Sequence, residues 1–543
     1  MRYFLLCCVL AVFSYGSENT DTSNWQSQKV DLRGPAGNRI KEIRYPSDKP
    51  VPTLSSRKQR KHRKSQTYRL SSQQKQRLNK YTEKYEQSAP FTVSFIDSPP
   101  IDGFVPWIAL AITDKREGEV DFEAVIHNQI VGNYPASNPD SGYAVAIFDT
   151  GASAHVIGYQ NAIRTGLYTQ AGFPKSQFIT SNIVPISGVS GSVDALVSMP
   201  LGVFVDGLGA IDSDGLLTDR SAMVGQSNTA IIVGEEPWDT PDLATAIGSP
   251  LAVYFNTAIA NDRQITIIRD SNQYTAPDIR LYPQDDADCP RYNNSIPLEL
   301  RPLGGISVQY IMSLDPFNFD FVPASPSTIV GNSSQSLFFV HSVDLYHGTK
   351  SAIDKDRFML DTGAQLTVIG KRVAARLAID TTQPDFMVQV EGVTGDAIDV
   401  NGFYIDTIEI PALGQWLSYN NIPVIMLDIA SPEGGTLDGI IGMNLFIDFN
   451  IVLRGGGLFL EGDPSLEFEP INFAAIADIA PNGGDGTINL LDLDKFSQCW
   501  LASPQSFNWD SICDLAPHPV RDGIVNFLDF AVLAEYWLES VAN

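Results

Sequence analysis

Two aspartates set in matching turns are the residues of this chain best suited to chemistry. Asp149 stands in Phe148-Asp149-Thr150-Gly151-Ala152, and Asp361 in Leu360-Asp361-Thr362-Gly363-Ala364. Each follows an apolar run (143–148 and 358–360), and each is followed at the same offset by Val-Ile-Gly, at 156–158 and 368–370. Such positions in two halves of a duplicated structure can bring two carboxylates together. Like charges a few ångströms apart resist ionising together, so the pair would share a proton and offer an acid and a base at once. The chemistry needs no nucleophilic Ser or Cys, and among six His no Ser/His/Asp arrangement stands out. His155 follows the first turn, but Thr367 fills the matching place in the second, so His155 reads as structural or incidental.

A carboxylate pair of this kind requires two equivalent scaffolds, and the duplication does extend well beyond the turns. Gly188-Val189-Ser190-Gly191 answers Gly392-Val393-Thr394-Gly395, residues 228–233 answer 421–426, and 246–259 answer 440–453. Four landmarks recur in one order, with gaps that differ as surface-loop insertions would make them differ. Short Val/Ile/Phe/Tyr runs broken by 42 Gly and 34 Pro indicate strands, so the expected fold is mainly β.

This series resembles the retropepsin- and pepsin-like aspartic peptidases. In that clan each lobe carries Asp-Thr-Gly, a Gly-rich flap segment and an apolar-apolar-Gly that closes a ψ-shaped loop beneath the turn. The second half matches closely, through Ile440-Ile441-Gly442-Met443-Asn444; the first is looser, with Ala246-Ile247-Gly248-Ser249-Pro250 in that place. The resemblance covers about 95–465. It implies two β-barrel lobes forming one cleft and a water activated between Asp149 and Asp361, with no cofactor for catalysis. It also implies that the hydroxyls of Thr150 and Thr362 lock the turns together and that Gly151 and Gly363 donate N–H to the carboxylates. Gly188, Gly191, Gly392 and Gly395 become flap candidates. Ala152 and Ala364 lack the hydroxyl that pepsins present there, which points to a mildly rather than strongly acidic optimum. Both turns lie in one chain, so the lobes are expected to pair within it.

Composition bounds the partners. A formal net charge of −26 excludes nucleic acid as the main partner, because phosphate binding needs a basic surface. The basic residues are concentrated instead in 57–84, with eleven Lys/Arg against one acidic residue. Residues 17–90 are therefore expected to be a disordered basic leader or a propeptide lying across an acidic cleft. Before them, Arg2, an apolar run to Phe13 and the small Ser14 and Gly16 read as a secretory signal peptide, residues 1–16. Once it is removed, no run reaches the roughly 20 apolar residues of a membrane span. Export permits disulfides, and Cys499 with Cys513 is the local pair, leaving Cys289 over.

The lobes are placed at 91–300 and 301–468, and a further unit at 474–543. That unit holds two repeats 37 residues apart, each with Asp-Gly-x-(Ile/Val)-Asn-x-x-Asp leading into a helix-like run. Oxygen ligands around a sharp glycine turn suit Ca²⁺. The candidates are Asp478, Asp485, Thr487, Asn489 and Asp492 in the first repeat, and Asp514, Asp522, Ile524, Asn526 and Asp529 in the second. The pair resembles type I dockerin repeats with a longer first half to each loop, which implies a cohesin-like partner and a tethering role. Together these expectations describe a secreted or surface-associated bacterial aspartic endopeptidase acting on protein or peptide. The alternative is a non-catalytic peptide-binding or surface protein on the same two-lobed fold. A glycoside hydrolase would not explain why its carboxylates sit in duplicated Asp-Thr-Gly turns.

Overall fold

The computed structural model describes residues 25–29, 40–46, 63–67, 92–101, 103–113, 130–131, 143–188, 191–199, 201–212, 215–217, 223–236, 243–269, 272–302, 329–331, 336–391, 397–429, 431, 435–456, 463–481, 484–503, 505–515 and 523–538. The expected signal peptide (1–16) and the candidates Gly392, Gly395 and Asp522 lie outside the described residues. The chain is mainly β, with its strands in two large sheets.

The same four-strand knot occurs in each half. In the first, the incoming strand Ala144–Asp149 is buried along its whole length, as a continuous apolar run buried on both faces should be. After the turn the chain leaves as Val156–Ile157, and much later Ala246–Gly248 returns to close the knot. The closing strand lies parallel to the incoming one (Phe148 opposite Ile247) and antiparallel to the outgoing one (Val156 opposite Ala246). A fourth strand, Ile232–Val233, runs parallel to the outgoing one. In the second half the incoming, outgoing and closing strands are Phe358–Leu360, Val368–Ile369 and Gly439–Ile441. The pairings repeat: Met359 opposite Ile440 in parallel, Val368 opposite Ile440 antiparallel, and Val368 opposite Ile425 in parallel. Even the short helix after each outgoing strand recurs, as Tyr159–Arg164 and Lys371–Arg376.

Between outgoing and closing strands each half builds a hairpin. Ile179–Gly188 pairs with Gly191–Ser198, and Phe386–Glu391 with Ala397–Ile410. Gly188 and Gly191 are the last facing pair of the first hairpin.

The halves are joined at their base. The strands that follow the two closing segments, Asn256–Arg269 and Phe449–Arg454, pair with each other, Ala258 opposite Val452. One hydrophobic cluster runs through both halves, including Phe148, Leu251 and Phe255 from the first and Leu360, Leu445 and Phe446 from the second. Each such side chain taken fully from water contributes about 1.5–3 kcal/mol, so this shared cluster holds the halves together beside smaller clusters of their own.

Two expectations need correction. A lobe boundary at 300 cuts through the strand Asn294–Pro302, which pairs with Ser336–Val340 and Ser465–Pro470. Asn256–Arg269 and Asn272–Tyr282 belong to the larger sheet with the second lobe, while Ile329–Gly331, beyond 300, pairs back onto Val224–Thr229 of the first. The leader is not wholly disordered either. Ile40–Pro46 adds an antiparallel strand to Phe386–Glu391, Ile43 facing Val388, and Trp25–Lys29 pairs with it in turn. Its Glu42-Ile43-Arg44-Tyr45 alternation puts Ile43 and Tyr45 into the core with Leu366 and Val368, while Arg44 reaches Asp399 at 3.1 Å. The strand Arg63–Thr67, inside the basic run, pairs with Thr92–Asp97.

The C-terminal unit has its own small core, including Ile479, Ile488, Phe496, Val525 and Leu533. Its two helices are Leu490–Gln498 and Phe527–Glu535. Cys499 and Cys513 are joined as a disulfide, their Cα atoms 6.3 Å apart, and Cys289 is buried against the Arg454 guanidinium. Among the described residues no helix is long and apolar enough to cross a membrane.

Candidate active site

Each incoming strand ends by delivering its aspartate into a turn whose own amides grip the side chain. Gly151 N–H and Ala152 N–H donate to Asp149 Oδ1 at 3.0 and 3.1 Å. Gly363 N–H donates to Asp361 Oδ1 at 2.8 Å. Both carboxylates are thereby fixed in orientation, and both are buried.

The two turns hold each other by four reciprocal hydrogen bonds. Thr150 Oγ1 donates to Leu360 O at 2.9 Å and accepts from Thr362 N–H at 3.0 Å. Thr362 Oγ1 donates to Phe148 O at 2.6 Å and accepts from Thr150 N–H at 3.1 Å. Threonine suits this task because one hydroxyl both gives and takes a hydrogen bond. The glycines complete the approach. A Cβ on Gly151 would lie 2.5 Å from the Asp361 carboxyl carbon, and one on Gly363 would lie 2.6 Å from that of Asp149. Each carboxylate thus packs on the other turn's glycine, and any side chain there would drive the pair apart. Asp149, Thr150, Gly151, Asp361, Thr362 and Gly363 are brought into one cluster. Gly188 and Gly191 lie at a hairpin end instead.

Beneath each turn the closing glycine must also satisfy its N–H. In the second half Gly442 N–H donates to Thr367 Oγ1 (3.2 Å), which itself donates to Asn444 Oδ1 (2.8 Å). In the first half Gly248 N–H donates to His155 Nδ1 at 3.2 Å, and His155 Nε2 is 2.9 Å from Gln226 Oε1. His155 is therefore the counterpart of Thr367. The sequence signal was present, a polar residue just before Val-Ile-Gly in both copies, but the unlike side chains concealed a shared task. Gln226, 71 residues further on in the strand Val224–Thr229, carries no signal of its own.

The C-terminal candidates are used differently. Asp478 accepts Asp485 N–H on Oδ1 and Gly486 N–H on Oδ2, at 3.0 and 2.8 Å. Asp492 accepts Ile479 and Ala480 N–H on one oxygen and Asn489 N–H on the other. Asp485 takes Thr487 N–H, and Asn489 Nδ2 bonds Asp485 and also Thr487 O, the carbonyl an EF-hand-type loop would turn to a cation. The second repeat follows suit: Asp514 accepts Gly523 N–H, Asp529 accepts Leu515 and Asn526 N–H, and Asn526 Nδ2 bonds Ile524 O. Among the described residues no three His, Cys, Asp or Glu side chains are grouped as a metal ion would need. The carboxylates of Asp478, Asp492, Asp514 and Asp529 thus all accept main-chain N–H groups. These residues close loops and cap helices, both helices starting with a full capping box.

Residues 352–445, which include Asp361 and Gly442, match the family described as aspartyl protease. An aspartic proteinase from Irpex lacteus aligns at 14% identity over 70% of this chain and 99% of its own, with a TM-score of 0.34. No curated protein matches the chain.

Proposed function

We propose that the protein is an exported aspartic endopeptidase in which Asp149 and Asp361 activate one water for attack on a peptide bond. The observation that carries the reading is the reciprocal Thr150–Thr362 grip, with each carboxylate seated on the opposite glycine. The proposed cycle needs one of the two carboxylates ionised and the other protonated. The ionised one takes the water's proton as it attacks; the protonated one donates to the carbonyl oxygen, and the tetrahedral intermediate collapses with proton transfer to the leaving nitrogen. Cleavage of casein by the purified full-length chain, with its inhibition by pepstatin, tests the reading. Binding of casein without cleavage would favour the non-catalytic alternative.

The C-terminal unit serves as a tether in this proposal, docking on a cohesin-like partner. Support comes from the exposure of large apolar side chains at equivalent first-turn positions of its two helices, Leu490 and Leu491, then Phe527 and Leu528. Exposed apolar groups gathered in this way mark interaction surfaces. Removal of 474–543 is expected to leave casein cleavage intact and to release the enzyme from the cell surface; loss of cleavage would show the unit to be part of the catalytic fold.

A further inference from the structure

The two halves solve one structural problem with different chemistry. Below each catalytic turn a closing glycine carries an N–H that has to be accepted in the dry interior. The next residue fastens the turn from beneath, Ser249 N–H to Ala152 O and Met443 N–H to Ala364 O, both 2.8 Å. In the second half the acceptor is Thr367 Oγ1, backed by the Asn444 amide oxygen. In the first, Pro250 stands where Asn444 stands, with no side-chain amide to offer. His155 and Gln226, both buried, fill the gap.

The hydrogen bonds settle which nitrogen carries the proton. Nδ1 accepts from Gly248, so it is bare, and the ring's one proton sits on Nε2, directed at Gln226 Oε1. A second proton could enter only at Nδ1, where it would meet the Gly248 N–H donor to donor. Little nearby would welcome it. The strands Ala246–Gly248, Val224–Thr229 and Ile232–Val233 carry no ionisable side chain, and Asp194 on the hairpin strand Gly191–Ser198 is exposed. The ionisable group of its own turn, Asp149, is held by Gly151 and Ala152.

We propose that neutral His155 is the positioning residue of the first catalytic turn, and that its protonation expels the Gly248 N–H, loosens that turn and sets the acid limit of the site. The effect on activity rests on the peptidase reading; the effect on stability does not. Burial lowers the imidazole from 6.5 to about 4, the Gln226 bond opposing it. The unfolded chain therefore takes up this proton near pH 6.5 and the folded chain only near pH 4. Stability from this group is intact above the higher value, falls as pH drops through the window, and falls no further below it.

The test compares the full-length wild type with His155→Asn and His155→Leu, with thermal unfolding followed across that window in an Asp361→Asn background and casein cleavage with the pair intact. Asn places Oδ1 at the same reach as Nδ1 and takes no proton; Leu offers no acceptor. The Asn variant is expected to match the wild type at neutral pH and to lose less stability and activity on the acid side, while Leu is weakened at every pH. A wild-type-minus-Asn difference that stays flat with pH overturns the proposal. If the wild type cleaves nothing, the peptidase reading fails and the stability difference still decides. Should the Asn variant not fold, imidazole NMR of the wild type decides: one ring staying in the Nε2–H form through pH 5 supports the proposal, and titration of every ring near 6.5 overturns it.

Discussion

Replacing Thr150 by alanine probes the joint on which the whole site depends. Its hydroxyl donates to Leu360 O and accepts from Thr362 N–H, and every group involved is buried. Truncation leaves a carbonyl and an N–H of the opposite turn without that partner. Each buried group so stranded costs about 1–3 kcal/mol, so the variant should lose about 2–6 kcal/mol. Thr150→Ser keeps the hydroxyl and drops one methyl group, a loss of about 1 kcal/mol. Urea unfolding in an Asp361→Asn background, which prevents self-digestion, measures both. The double variant Thr150→Ala/Thr362→Ala should cost less than the sum of the singles, because the two hydroxyls serve one interlocked set of bonds. Cleavage by Thr150→Ala should fall at least tenfold as the carboxylates lose their register. If Thr150→Ala is no less stable than Thr150→Ser, or the two threonines prove additive, the lobes are not held together through these turns.

Three further outcomes follow from the geometry. Gly363→Ala sets a methyl group against the Asp149 carboxyl and should abolish cleavage, whereas Gly348→Ala, where a Cβ meets nothing and the left-handed φ of 54° costs only some stability, should leave cleavage unchanged; equal rates in the two would refute the close approach. Ile43→Asp places a charge in the second-lobe core and should lower the unfolding midpoint by several degrees, while unchanged melting would show that Ile40–Pro46 is dispensable. Calcium added to chelator-treated protein tests the expected cation in the C-terminal loops: a rise of several degrees in the melting of that unit supports it, and unchanged melting would leave Asp478 and Asp492 as main-chain acceptors alone.

Legibility from sequence followed the range of the interactions involved. Asp149 and Asp361 stood out because a short motif carries their chemistry and occurs twice, and the closing Ile-Gly segments because they keep their order. Strand pairing across long stretches of chain was hidden. Nothing near 256–269 announces that it will pair with 449–454, so the boundary at 300 fell inside a shared sheet. Ile43 and Tyr45 alternate with Glu42 and Arg44 over too few residues to show against a polar leader. Asp478 and Asp492 illustrate a different limit: their spacing announces a loop, but which main-chain N–H groups they accept shows only in the fold. His155 and Thr367 share an acceptor role that residue type conceals.

The central claim is that Asp149 and Asp361 act as one unit. The most direct measurement is the casein cleavage rate of Asp149→Asn and Asp361→Asn beside the wild type, with circular dichroism to confirm that each variant is folded. Loss of cleavage in both folded variants is the expected result. Wild-type cleavage by either would contradict the account.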